Sequence, residues 1–154
     1  MEFGTVLGIL GAVIAAGVSA AACCVTMCMI GQAAAGVVTE DPSKFGQTLV
    51  LQAIGSTAGI YGFLMGFLIL SKTLAMADAG TMGINAGLYL LACSLPVGVV
   101  GAISAIYQGR VLVSGVILIG KRPGELAKAL IYAAMIETFA VFMLLVSFLM
   151  YNGI

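Results

Sequence analysis

Histidine and tryptophan are absent from this 154-residue chain, and charge is scarce: six basic and six acidic side chains make up 8% of it. The lack of histidine removes the usual proton shuttle near neutral pH and most zinc sites. A net charge of zero, with no basic patch, argues against nucleic-acid binding. Soluble domains carry roughly 25% charged residues, so the same shortage excludes an ordinary soluble fold. No G-x-x-x-x-G-K-S/T run occurs, so the sequence offers no P-loop for a nucleotide phosphate. No catalytic constellation is present, and no tightly bound cofactor is expected. At this length the chain is expected to be one domain, 1–154.

What remains is apolar. Hydrophobic residues make up 62% of the chain, and the mean hydropathy is +1.22. Three polar breaks interrupt it: Thr39–Lys44, about Lys72 to Gly83, and Gly120–Glu125. They leave four apolar segments, about 5–38, 45–71, 84–119 and 125–151. Each exceeds the ~20 residues needed to cross a bilayer core. Pro42 and Pro123 explain two stops, since proline cannot continue a helix but suits the start of the next. The reading is an all-α membrane protein of four transmembrane helices in two tandem hairpins. The first segment begins Met1-Glu2, without a basic stretch, and is longer than a signal-peptide core, so it reads as a retained span. Cys24 and Cys28 lie one turn apart without His or carboxylate partners, and read as small packing residues.

Lys44, Arg110, Lys121, Arg122 and Lys128 lie in or towards the first and third breaks, and only Lys72 lies by the second. The positive-inside rule then puts loops 39–44 and 120–125 in the cytoplasm and both termini outside.

The halves repeat. A shift of 81 residues matches Gly17 with Gly98, Pro42 with Pro123, Thr57 with Thr138 and Phe67 with Phe148, without a gap. The expected repeats are 1–78 and 82–154. Gly8, Ala12, Ala16 and Ala20 in the first segment, and Gly101, Ala105 and Gly109 in the third, are small residues at spacing four that let helix backbones approach closely. The second and fourth carry Phe63, Phe67, Phe139, Phe142 and Phe148. The expectation is that helices one and three form a narrow inner side, with two and four towards lipid.

Glu137 lies near the middle of Leu126–Tyr151, where Lys128 is the other charged residue. A central acid costs roughly 2.5–3.5 kcal/mol on insertion, and such a residue is a functional-site candidate by default. Glu137 lies 12 residues after Glu125, Gln108 12 before Gly120, and Thr57 12 after Phe45. All three are therefore ~18 Å from a helix end, and Tyr61 shares a face with Thr57. Ala133, Ala134 and Ala140 leave space beside the carboxylate. Each neighbour has a plainer alternative: Gln108 bonding an adjacent helix, Thr57 bonding its own backbone, Tyr61 packing as an aromatic. The position equivalent to Glu137 in the first half is Ser56, so four helices share one ionisable site. In lipid the carboxyl is expected to be neutral, carrying a proton or holding Na⁺. A self-contained proton-coupled transporter using Glu137 is the alternative reading at this point.

Tyr107-Gln108-Gly109-Arg110, Ala134-Met135-Ile136-Glu137-Thr138, Leu51-Gln52 and Gly59-Ile60-Tyr61-Gly62-Phe63, together with the duplication, resemble the proteolipid (c or K) subunit of rotary V-type and A-type ATPases over nearly the whole chain. The resemblance implies a rotor ring of identical subunits in membrane lipid, each carrying H⁺ or Na⁺ on Glu137. It also implies a stator membrane subunit with an essential arginine, and a central-stalk attachment subunit at the cytoplasmic loops. Serine at position 56 matches the V-type pattern, which favours pumping because fewer ions pass per turn. Sodium-translocating members resemble this chain at Thr57, Tyr61, Gln108 and Glu137, with a backbone carbonyl at the place of Ile54. They carry glutamine where this chain has Ala58. That substitution removes one amide ligand, which Ser56 or a water would have to replace.

Overall fold

The computed structural model describes residues 3–153. Met1–Glu2, on which the retained-span reading rests, and Ile154, the end of the second expected repeat, lie outside those residues. Nearly everything described is helix. Helix α1 runs Phe3–Glu40, α2 Phe45–Ile54, α3 Thr57–Asp78, α4 Ile84–Leu95, α5 Gly101–Lys121 and α6 Leu126–Tyr151. Short tight turns at Pro42–Lys44 and Pro123–Glu125 open the second and fourth spans. The four spans Phe3–Glu40, Pro42–Asp78, Ile84–Lys121 and Pro123–Tyr151 are each long and apolar enough to cross a bilayer.

Local chemistry sets the breaks. Asp41 caps the turn at Pro42 by accepting from the Ser43 amide at 3.0 Å and its hydroxyl at 2.6 Å. These bonds, the hydroxyl's foremost, with Lys44 close by, hold the exposed Asp41 carboxyl below the usual carboxylate range. Gly80 ends the second span in the left-handed region, φ 67°. The Thr81 amide then reaches the Met76 carbonyl at 3.0 Å and the Gly80 amide reaches Ala77 at 3.1 Å, a Schellman-type ending. This break is shorter than the one expected from Lys72 onward. The helix continues because Thr73 returns its hydroxyl to the Ile69 carbonyl. Lys72 bonds the Tyr151 carbonyl at 2.8 Å and lies over that ring.

Two irregularities inside spans were not expected from hydropathy. The second span tightens at Gly55-Ser56, where the Gly55 and Ser56 amides bond the Gln52 and Ala53 carbonyls three residues back. The third carries one π-helical turn at Pro96–Val100, in which the Gly101 amide reaches the Pro96 carbonyl. Pro96 has no amide to give and displaces the regular ladder. Its counterpart in α1 is Ala15, and α1 is unbroken. The backbone disturbed by the π turn is tied to two other helices: the Val97 amide donates to the Ser147 hydroxyl at 3.2 Å, and Ser19 donates to the Val97 carbonyl at 3.3 Å. Such bonds meet the demand that backbone polar groups in lipid be satisfied internally.

Helix α1 packs against α3 on one side and α4–α5 on the other. The contacts are backbone-close. A Cβ at Gly66 would lie 2.8 Å from the Ala12 carbonyl, one at Gly11 3.0 Å from Leu91 Cα, and one at Gly109 2.8 Å from Thr26 Cγ2. The first and third spans therefore do pack along each other, as the small-residue spacing implied. Helices α3 and α6 expose rows of large side chains, including Phe63, Phe67, Phe139, Phe142 and Leu149. The core has three layers. Larger side chains such as Met65, Ile69 and Leu90 fill one end, and Ile30, Leu51, Leu112 and Ile119 fill the other. Between them lies a layer of Ala22, Cys23, Ala58, Ala102, Ala105 and Ala140. Small side chains at this middle depth leave room for polar groups to converge.

Candidate functional site

Glu137 projects from α6 into the join between the two halves. Tyr61, on the second turn of α3, donates its hydroxyl to Glu137 Oε1 at 2.9 Å. Gln108, on α5, donates from Nε2 to Glu137 Oε2 at 3.3 Å and to the Ala133 carbonyl at the same distance. Three spans thus meet on one carboxyl group, each oxygen receiving one donor. Gln108 is buried, while Glu137 and Tyr61 are half-buried. Both donors are neutral, so they orient the carboxyl group and bring no counter-charge to it.

The alanines beside Glu137 have separate roles. Ala133 and Ala140 are buried in the core, which lets α6 approach α5. Ala134 lines an open recess of about 250 Å³ with Glu137, Thr138, Val141 and Phe142. The carboxylate therefore has a packed side, where its donors stand, and an open apolar side.

Of the expected site residues, the structure brings together Glu137, Tyr61 and Gln108. It does not bring Ser56, Thr57 or Ile54 into hydrogen-bonding contact with them. Thr57 donates to the Ile54 carbonyl at 2.9 Å, and Ser56 to the Ala53 carbonyl at 2.7 Å. Both hydroxyls are taken up by carbonyls three residues back, which for Thr57 is the back-bonding alternative. Tyr61 and Gln108 do more than pack or bond a neighbouring helix. Arg110 lies exposed with its guanidinium 5.2 Å from the Tyr107 ring centroid.

One contributor went unnoticed in the sequence. Ser104 donates to the Ile136 carbonyl at 3.0 Å and so fixes α6 one residue before the carboxylate. Its signal was available: it lies four residues before Gln108, on the same helix face. Among the four cysteines, Cys23 and Cys93 are buried and Cys24 and Cys28 exposed, all as free thiols.

Comparison with known proteins agrees with this architecture. The family model for the ATP synthase C-subunit matches twice, over residues 10–69 and 91–150. The two matches are 81 residues apart, the shift at which the halves superpose. The chain is 40% identical over 122 residues to the V-type sodium ATPase subunit K of Enterococcus hirae, covering 79% of this chain and 75% of that protein. It is 33% identical over 151 residues to the A-type ATP synthase subunit K of Methanocaldococcus jannaschii, covering 97% of this chain and 63% of that protein. Both relatives are subunits of larger ATPases, which displaces the self-contained transporter. The chain belongs to the ATP synthase C-subunit family, as a multi-pass membrane protein with two helical hairpins fused in one polypeptide.

Proposed function

We propose that this chain is a rotor-ring subunit of a V/A-type ATPase and that Glu137 is the single carboxylate on which it carries its ion. The observation that carries this reading is the convergence of Tyr61 and Gln108 on the two oxygens of one half-buried acid at mid-membrane. An unpaired charge held in the membrane is strongly unfavourable. A bound cation removes it, and Na⁺ is our assignment. The 40% identity to a subunit named for a sodium ATPase supports it. Na⁺ needs oxygen ligands. Glu137 and Gln108 supply some, and the Thr57 hydroxyl and Ile54 carbonyl become two more if their mutual bond opens. H⁺ is the second reading, favoured by that same closed Thr57–Ile54 bond and by Ala58 in place of a further amide.

On this reading the chain is one membrane domain of two repeats, 1–78 and 82–154. Loops 39–44 and 120–125 face the cytoplasm and a central-stalk attachment subunit, and both termini lie outside. Ion release occurs where a stator arginine stabilises the bare carboxylate. Carbodiimide labelling of Glu137 at constant pH and ionic strength tests the cargo. Protection by NaCl supports Na⁺, and indifference to it would establish the proton reading. Glu137→Gln is expected to abolish ion flux in the assembled ATPase, and undiminished flux would overturn the site.

A further inference from the structure

We propose that adjacent copies in the ring dock through the same contacts that join the two hairpins within one chain, moved along the sequence by 81 residues, with Tyr107 of one copy seated on Cys24 and Cys28 of the next. The proposal rests on the ring reading above and adds a residue-level register to it.

The two hairpins run parallel, so their union is head-to-tail. The face that hairpin 1 presents to hairpin 2 has an equivalent on hairpin 2, left without an intramolecular partner. Head-to-tail contacts of this kind generate rings when the rotation closes. Within the chain, Thr26 is the central knob. Its hydroxyl donates to the Ala105 carbonyl at 3.0 Å, and a Cβ at Gly109 would lie 3.2 Å from Thr26 Cβ. The counterpart of Thr26 is Tyr107, and those of Ala105 and Gly109 are Cys24 and Cys28. Burial follows the same logic. Thr26, Ala105 and Gly109 are buried, whereas Tyr107, Cys24 and Cys28 are exposed. Two turns further out, Gly98 is buried against Ile14 and Ala15, but its counterpart Gly17 is exposed with nothing within 4 Å. The exposed thiols and the exposed glycine have the spacing of a used interface and no occupant in their own chain.

The same shift describes the seam between copies at the depth of Glu137. There Phe142 stands for Tyr61, Met27 for Gln108 and Ser56 for Glu137. These three positions supply neither carboxylate nor phenol, so on this register each copy builds its ion site from its own Tyr61, Gln108 and Glu137.

Tyr107→Cys in the assembled protein tests the register, because a disulfide requires Cβ atoms about 3.5–4.5 Å apart. Mild oxidation of membranes is expected to give a ladder of covalent multimers on non-reducing gels. The ladder should be absent from the wild type and lost when Cys24 and Cys28 are both changed to alanine. A second pair guards against a misfolded variant. Val37 packs on Gly120 within the chain, so Leu118→Cys with Thr39→Cys should cross-link between copies at the cytoplasmic end. Native mass measurement of the same samples separates the two ideas. An intact ring in which neither pair cross-links, or a ladder in the wild type, overturns this register and leaves the ring standing. A monomer overturns the ring and the register together.

Discussion

Tyr61→Phe removes one oxygen and leaves the packing of the ring almost unchanged, so it isolates the hydrogen bond to Glu137 Oε1, 2.9 Å long. A hydrogen bond to a charged acceptor contributes about 1.5–3 kcal/mol and one to a neutral acceptor about 0.5–1.5. Tyr61 and Glu137 are half-buried, which selects the lower end of both ranges. With Na⁺ bound the acceptor is a carboxylate, and with a proton bound it is a neutral acid. The phenol therefore favours the Na⁺ form by about 1 kcal/mol, equivalent to about fivefold in affinity. Carbodiimide reacts with the protonated acid, and mass spectrometry of the labelled chain reads the modified fraction directly. The NaCl concentration that halves labelling should rise by that factor in Tyr61→Phe. A half-protecting concentration equal to the wild type's would refute the reasoning, because it would mean that the phenol does not distinguish the two forms.

Three further outcomes follow from the packing. Gly62→Ala forces a Cβ against Ser19 and the Ala15 carbonyl, and overpacking of this kind costs about 1–3 kcal/mol. Its thermal midpoint in detergent should fall, while Gly36→Ala, with nothing within 4 Å, should not lower it. Ser147→Ala leaves the Val97 amide without its acceptor, an expected loss of about 1–3 kcal/mol. Combining it with Pro96→Ala should recover much of that loss in the same melt, since the helix can then close its own ladder. Asp41 is held below its ordinary range, so its contribution is present above the unfolded value and lost as pH falls through the folded one. Protection of the Ser43 amide, corrected for intrinsic exchange, should be flat above about pH 4 and decline below it. A steady decline through neutral pH would assign the protection to another group.

The four spans and the depth of the site were legible because they depend on quantities fixed per residue. Hydropathy marks the spans, and a constant helical rise turns positions counted from Phe45, Gly120 and Glu125 into heights that set Glu137, Gln108 and Thr57 level; Tyr61, one turn beyond Thr57, is the residue whose hydroxyl reaches Glu137. What a hydroxyl does is decided by backbone geometry within one turn, and hydropathy is blind to that. Ser56 and Thr57 give their hydroxyls to carbonyls three residues back, as Thr138 does in the unbroken α6. The π turn left hydropathy equally undisturbed, although Pro96 in the middle of a span was its visible sign. The length of the second break was misjudged because Lys72 and Thr73 are polar by composition. Within the fold their polar atoms are bonded to the carbonyls of Tyr151 and Ile69.

The Val97 peptide unit is held by α1 through its carbonyl and by α6 through its amide. A rotor subunit under load is a torsion bar. Each of these ties places a single short serine side chain between helices, so it has little slack to take up. The close-packed body around them transmits strain instead of absorbing it. Twist is thereby kept out of the spanning helices and left to the turns at Pro42–Lys44 and Pro123–Glu125.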